Sequence, residues 1–111
     1  MTDHLSHTLA ALADPTRRAM VLRLAGGAAT VTELGAPFAL SQPAISKHIK
    51  VLEKAGLIAR RREAQFRPCI LETARLAELD RFMDQLRTVT EGQLDQLASY
   101  LADLQSKGPS V

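Results

Sequence analysis

A chain of 111 residues, 46% of them hydrophobic, is long enough for one domain around one core and too apolar for a disordered chain. No apolar run approaches the ~20 residues that span a bilayer, and residues 1–7 lack the basic and apolar regions of a signal peptide. The single cysteine, Cys69, excludes a disulfide within the chain and suits a reducing, cytoplasmic setting.

The net charge of +2 is too small to argue for a nucleic-acid partner by itself, but its distribution is uneven. Residues 41–67 carry seven basic side chains against two acids, residues 1–40 are balanced, and residues 68–111 carry four basic against seven acidic. Such asymmetry also occurs on ordinary solvated surfaces, so it needs a structural context.

Leu5, Leu9 and Leu12 sit at helical spacing and predict a first helix over residues 4–13. Asp14-Pro15 is a start signal, with Asp as cap and Pro in the first turn, for a second helix running to about Leu24 and stopping at Gly26-Gly27. Thr30-Val-Thr-Glu33 is a capping box opening a short third helix, which Gly35 and Pro37 end. Ser41 caps a fourth helix that Gly56 terminates. Residues 57–64 and 66–72 read as two strands joined by a tip that has no Gly or Asn and is a weak hairpin signal. Thr73 is the expected cap of a last helix reaching about Gln105, with Gly92 a place for a kink or break. The tail after it is expected to fray. The order helix, helix, helix, helix, strand, strand, helix is that of a mostly α, winged helix-turn-helix domain, with the helix-turn-helix over 30–54 and the β-wing over 57–72.

The fourth helix carries the chemistry. With Ile45 facing the core and about 100° per residue, Ile49, Leu52 and Ser41 share its side. Pro43, Lys47, Lys50 and Lys54 fall opposite, with Ser46 on the flank. Pro43, Ser46 and Lys47 occupy the first turns, the end that enters a major groove. Gln42 at the helix mouth suits adenine, Ser46 either kind of base, and Lys47 a guanine edge or a phosphate. Lys50 and Lys54, further along, suit phosphates, and the helix N-terminus itself attracts them. His48 lies beside the core edge, where a packed or backbone-bonded ring and a DNA contact are both open. In the wing, alternation sends Arg60 and Arg62 to one face and Arg61 to the other. Arg62, Gln65 and Arg67, nearest the tip, are the expected minor-groove or phosphate contacts. An ordinary amphipathic surface helix is the alternative, which the arginine-rich hairpin behind it disfavours.

Leu79, Met83, Leu86, Leu94, Leu97 and Leu101 continue a row of threes and fours along the last helix. That row is long for a monomer of this size to cover, and points to a homodimer; packing on its own domain is the other reading.

The pieces Leu12-Ala-Asp-Pro-Thr-Arg-Arg18, Val31-Thr-Glu-Leu34, Leu40-Ser-Gln-Pro-Ala-Ile-Ser-Lys-His-Ile-Lys-Val-Leu52 and Lys54-Ala-Gly-Leu-Ile-Ala-Arg-Arg-Arg62 resemble the ArsR family of bacterial winged-helix repressors. The order of elements extends the resemblance to residues 5–105. It implies a homodimer, joined by the first helix, through Leu5 and Leu9, and by the last, over residues 74–105, on a near-palindromic operator, and repression relieved by an effector. The family's metal motifs are missing. A Cys-x-Cys site on the third helix would fall on Thr30 and Thr32, whose hydroxyls are poor ligands for soft metals. The ligand set of the last helix would fall on Asp80, Phe82, Gln93 and Gln96, where only the Asp could bind zinc. The resemblance therefore implies a regulator with no metal or other cofactor, whose signal is an organic ligand, a protein partner, or none. His4 and His7 beside Asp3 form a weak metal-binding pair at most, and Cys69 reads as a buried thiol ahead of a redox switch or an intersubunit disulfide. No catalytic constellation stands out, so an enzyme is not expected. A winged-helix protein-interaction module and an activator remain the rival functions.

Overall fold

The computed structural model describes residues 3–62 and 66–106. It holds α1 (His4–Ala11), α2 (Pro15–Ala25), α3 (Val31–Gly35), α4 (Gln42–Lys54), β1 (Ile58–Arg60), β2 (Cys69–Leu71) and α5 (Thr73–Ser106), in the expected order. Two compact units divide it: residues 1–79, which hold the helix-turn-helix and the hairpin, and residues 80–111.

Side-chain caps start the first four helices. The carboxylates of Asp3 and Asp14 accept the N–H groups of Ser6 and Arg17, at 2.7 and 3.0 Å. Thr30 and Glu33 close a reciprocal capping box, and Ser41 accepts the Ala44 N–H at 3.3 Å. Each bond satisfies a backbone donor that a helix leaves open at its start.

Several boundaries differ from the sequence reading. α1 ends at Ala11 rather than residue 13, because Leu12 caps it and Asp14 is extended to start α2. The strands are three residues each, shorter than expected, paired antiparallel as Ile58 with Leu71, Ala59 with Ile70 and Arg60 with Cys69. Arg67, at φ +37°, takes the second segment out of the extended range two residues before Cys69. Thr73 is the first residue of α5, not its cap, and α5 runs through Gly92 as one helix. An unforeseen bridge joins Ala29 to Cys69 through two backbone bonds of 3.1 and 2.7 Å, so the residues before α3 border the hairpin.

The core of the first unit is Met20, Leu24, Leu34, Ile45, Ile49, Leu52, Leu57 and Cys69, all at most 3% exposed. Ile45, Ile49 and Leu52 are the side of α4 assigned inward above. Gly35 lets α3 approach α4: a Cβ there would sit 3.1 Å from two carbons of Ile45. On α1 the inward residues are Thr8 and Ala11, while Leu9 is 41% exposed and Leu5 half-buried. Leu9 thus lies outside the face that packs, with Leu5 at its edge.

The second unit is helix from Asp80 to Ser106. None of α5 is buried, and Met83, Leu86, Leu94, Leu97, Leu101 and Leu104 are exposed. At about 100° per residue they share an arc of about 80° with Leu79. Val89 and Tyr100, also exposed, lie on one flank of it. No described helix is long and apolar enough to cross a membrane.

Candidate nucleic-acid interface

α4 presents Gln42, Pro43, Lys47, Lys50 and Lys54 to solvent, and Ser46 is half-buried. Its N-terminus is less open to phosphate than an uncapped helix. Ser41 takes the Ala44 N–H through its hydroxyl and the Ile45 N–H through its carbonyl, and Pro43 has no N–H. The Gln42 N–H is what remains for an anion, beside the Gln42 side chain.

The hairpin follows α4 closely, and the two share a cleft of about 360 Å³ lined by Ser46, Lys50, Glu53, Arg60 and Arg67. Three cations and one acid therefore line one groove from two elements. Glu53 is engaged with Arg60, whose Nε lies 3.7 Å from its carboxylate. That Nε is buried without a hydrogen-bond partner. Lys50 and Arg67 are exposed. Arg61 donates its backbone N–H to Pro68 at 2.9 Å, extending the pairing one step past the strands.

His48 is turned inward. Its Nδ1 lies 3.1 Å from Arg17 Nη1 and 3.9 Å from Asp14, and its side chain is 20% exposed. Of the two roles left open for it, this geometry serves packing: the ring ties α4 to the start of α2. The Arg17 N–H holds the Asp14 carboxyl below its usual range, with smaller help from the charges of His48 and Arg17.

Cys69 is fully buried, and burial pushes its thiol up, against a smaller opposing pull from Arg60. A protonated, enclosed thiol is a core side chain, not a reactive one. Thr30 has its hydroxyl committed to the Glu33 N–H at 3.2 Å.

A helix-turn-helix domain model matches residues 12–61. The HTH-type transcriptional regulator Rv2034 of Mycobacterium tuberculosis is 44% identical, over 70% of this chain and 77% of its own. The transcriptional repressor SdpR of Bacillus subtilis is 32% identical, over 82% of this chain and 99% of its own. The crystal structure of an ArsR family transcriptional regulator, RHA00566, superimposes with a TM-score of 0.73 at 36% identity, covering 80% of this chain and 98% of that one. The chain belongs to the ArsR family of winged helix-turn-helix transcriptional regulators.

In this ArsR-family chain the structure joins Ser46, Lys50 and Arg67 in one groove. Gln42, Pro43 and Lys47 lie on the exposed turns of α4 outside that groove. Arg62 is exposed at the end of the described wing, and Gln65 lies outside the described residues. Lys54 sits elsewhere, in a depression shared with α1. Sequence reasoning missed Arg60 and Glu53 as groove residues, although alternation had put Arg60 on the Arg62 face. It also passed over Phe66, which is 67% exposed beside Arg67. Its place at a hairpin tip, where apolar residues are unusual, was the available signal.

Proposed function

We propose that this regulator is a homodimeric repressor that reads a near-palindromic operator with α4 and holds the flanking backbone with its wing. The observation that carries the reading is the groove in which Ser46 and Lys50 of α4 meet Arg60 and Arg67 of the hairpin. A reading helix and a basic wing aligned on one cleft suit a duplex, with base edges met by the helix and phosphates by the wing. Gln42, Pro43, Ser46 and Lys47 take the base-edge positions. Lys50 takes a backbone position, Arg62, Gln65 and Arg67 take minor-groove or phosphate positions, and His48 positions α4 from behind through Arg17.

The dimer is proposed to form through Leu5 and Leu9 of α1 and through Leu79, Met83, Leu86, Leu94, Leu97 and Leu101 of α5. An exposed apolar row over a helix of 34 residues is what a partner copy would cover. Two copies of α4 then enter successive major grooves about one helical turn apart. Regulation is proposed not to run through the family's usual metal positions. Thr30 is occupied in a capping box, and Asp80, Phe82, Gln93 and Gln96 offer one carboxylate among them.

Variants Lys47→Ala and Ser46→Ala test the reading helix on an operator selected from random duplexes. Lys47→Ala is expected to weaken binding, and Ser46→Ala to relax sequence preference near the centre of each half-site. Unchanged affinity and preference in both would assign recognition to another surface.

A further inference from the structure

Where α1, the end of α4 and the first turn of α5 meet, the first unit has two adjoining depressions of about 250 Å³ each. They share His7, Lys54 and Ala55. One adds His4, Gly56 and Arg75, and is basic; the other adds Ala10, Ala11, Val51 and Arg17. No acidic side chain is among the described residues lining either. Two acids adjoin it in sequence: Asp3 caps the Ser6 N–H at 2.7 Å and feels the charge of His7 from there, and Glu53 faces Arg60 at 3.7 Å.

Arg75 Nη2 lies 3.4 Å from His4 Nε2, two basic groups facing each other with no carboxylate between them. The Arg75 side chain lies across Gly56: a Cβ there would stand 3.2 Å from its Nε. The backbone of Gly56, at φ +79°, and its missing side chain together give the guanidinium this seat. The carbonyls at the end of α4, which would oppose an anion, are partly occupied. Leu57, Gly56 and Ala55 donate to Leu52, Glu53 and Val51 at 3.0 Å each. Arg17 is also engaged, donating to the Ala11 carbonyl at 2.7 Å, so the cationic lining open to a ligand is Lys54, His7 and the Arg75–His4 pair, whose guanidinium keeps further N–H donors beyond its one contact with His4.

We infer that this paired depression is a binding site for a small organic carboxylate. The head group sits between Arg75, His4, His7 and Lys54, and a short apolar body lies over Ala10, Val51 and Ala55. A guanidinium offers a carboxylate two parallel N–H donors, and the alanine and valine surface favours a hydrocarbon over a bare inorganic anion. The site gives the effector a chemical class. Its link to repression rests on the DNA reading above, because Lys54 and Ala55 end the reading helix, but binding itself does not rest on that reading.

The test is a titration of the full chain, free of DNA, followed by amide NMR shifts. The probes are benzoate, hexanoate, benzamide and inorganic phosphate. Benzoate or hexanoate is expected to give saturable shifts at residues 4–11, 54–56 and 75, at least ten-fold tighter than phosphate, with benzamide silent. Arg75→Gln, and separately His7→Gln, each with native shift dispersion, are expected to weaken that binding ten-fold or more. No saturable shift with either carboxylate, shifts confined to the outer face of α4, or phosphate binding as tightly would overturn the assignment. A DNA-binding failure would leave these shifts in place, so the two readings fail separately.

Discussion

Arg17 and His48 are 31 residues apart, and their side chains meet at 3.1 Å. The same guanidinium donates from Nε to the Ala11 carbonyl at 2.7 Å and reaches the Ala10 carbonyl at 3.4 Å. One side chain on α2 thus closes the end of α1 and fixes the back of α4. Its planar fork makes these bonds together, which a lysine cannot copy. Arg17→Lys is expected to cost roughly 1.5–3 kcal/mol, the scale of hydrogen bonds to a charged donor. It is also expected to weaken DNA binding, although Arg17 faces away from the groove. Urea denaturation checks the first effect; wild-type stability in the variant would remove Arg17 from its structural role.

Thr8 is 1% exposed, and its hydroxyl has no hydrogen-bond partner. A buried hydroxyl without a partner is destabilising, so Thr8→Val, which keeps the shape and removes the polar atom, is expected to stabilise by about 1 kcal/mol. A thermal melt reads the sign directly, and a destabilised variant would mean that the hydroxyl is satisfied after all.

Three helix starts depend on carboxylates. Asp3, Asp14 and Glu33 are all held below their usual range, each first by a backbone N–H of its own cap, from Ser6, Arg17 and Thr30. A carboxyl depressed in the fold contributes stability that is full above its unfolded value, near pH 4. That contribution is lost as pH falls through the folded values. Stability is therefore expected to fall below about pH 4, and to fall less steeply in an Asp3→Asn, Asp14→Asn, Glu33→Gln variant. Parallel pH profiles of the two proteins would contradict this.

The apolar row of α5 gives a sharp assembly test. Leu97→Glu and Leu101→Glu place charges in the middle of a surface that is already exposed in one chain. Neither side chain belongs to the core, so the first unit should keep its fold while the protein sediments as a monomer. A dimer that survives both changes would shift the interface away from this row.

The inward face of α4 was legible because Ile45, Ile49 and Leu52 repeat at helical spacing between a capping serine and a terminating glycine. The caps Asp14, Thr30 and Ser41 were legible because each is a short polar residue at a fixed distance from a backbone donor, whereas Asp3 was not read as a cap and Thr73, read as one, is the first residue of α5. On α1 the same spacing found the helix but could not say which of its faces packs. Leu5, Leu9 and Leu12 have the right spacing, but within the helix Thr8 and Ala11 are the buried residues, Leu9 is exposed, and Leu12, just past its end, packs against the core. The bridge between Ala29 and Cys69 was hidden because one paired residue leaves no periodicity. The role of His48 depended on Arg17, a contact between distant segments that local pattern cannot carry.

The most direct measurement is the affinity of the purified protein for a duplex selected from random DNA, beside a scrambled duplex, by fluorescence anisotropy at two salt concentrations. The proposed dimer would offer Lys47, Lys50, Arg62 and Arg67 twice over. If six or more phosphates are met, affinity should fall roughly 10³-fold or more between about 50 and 200 mM salt. The selected duplex should also bind at least about 10³-fold tighter than the scrambled one. Equal affinity for both duplexes, or binding indifferent to salt, would contradict a sequence-specific repressor and move a protein partner into its place.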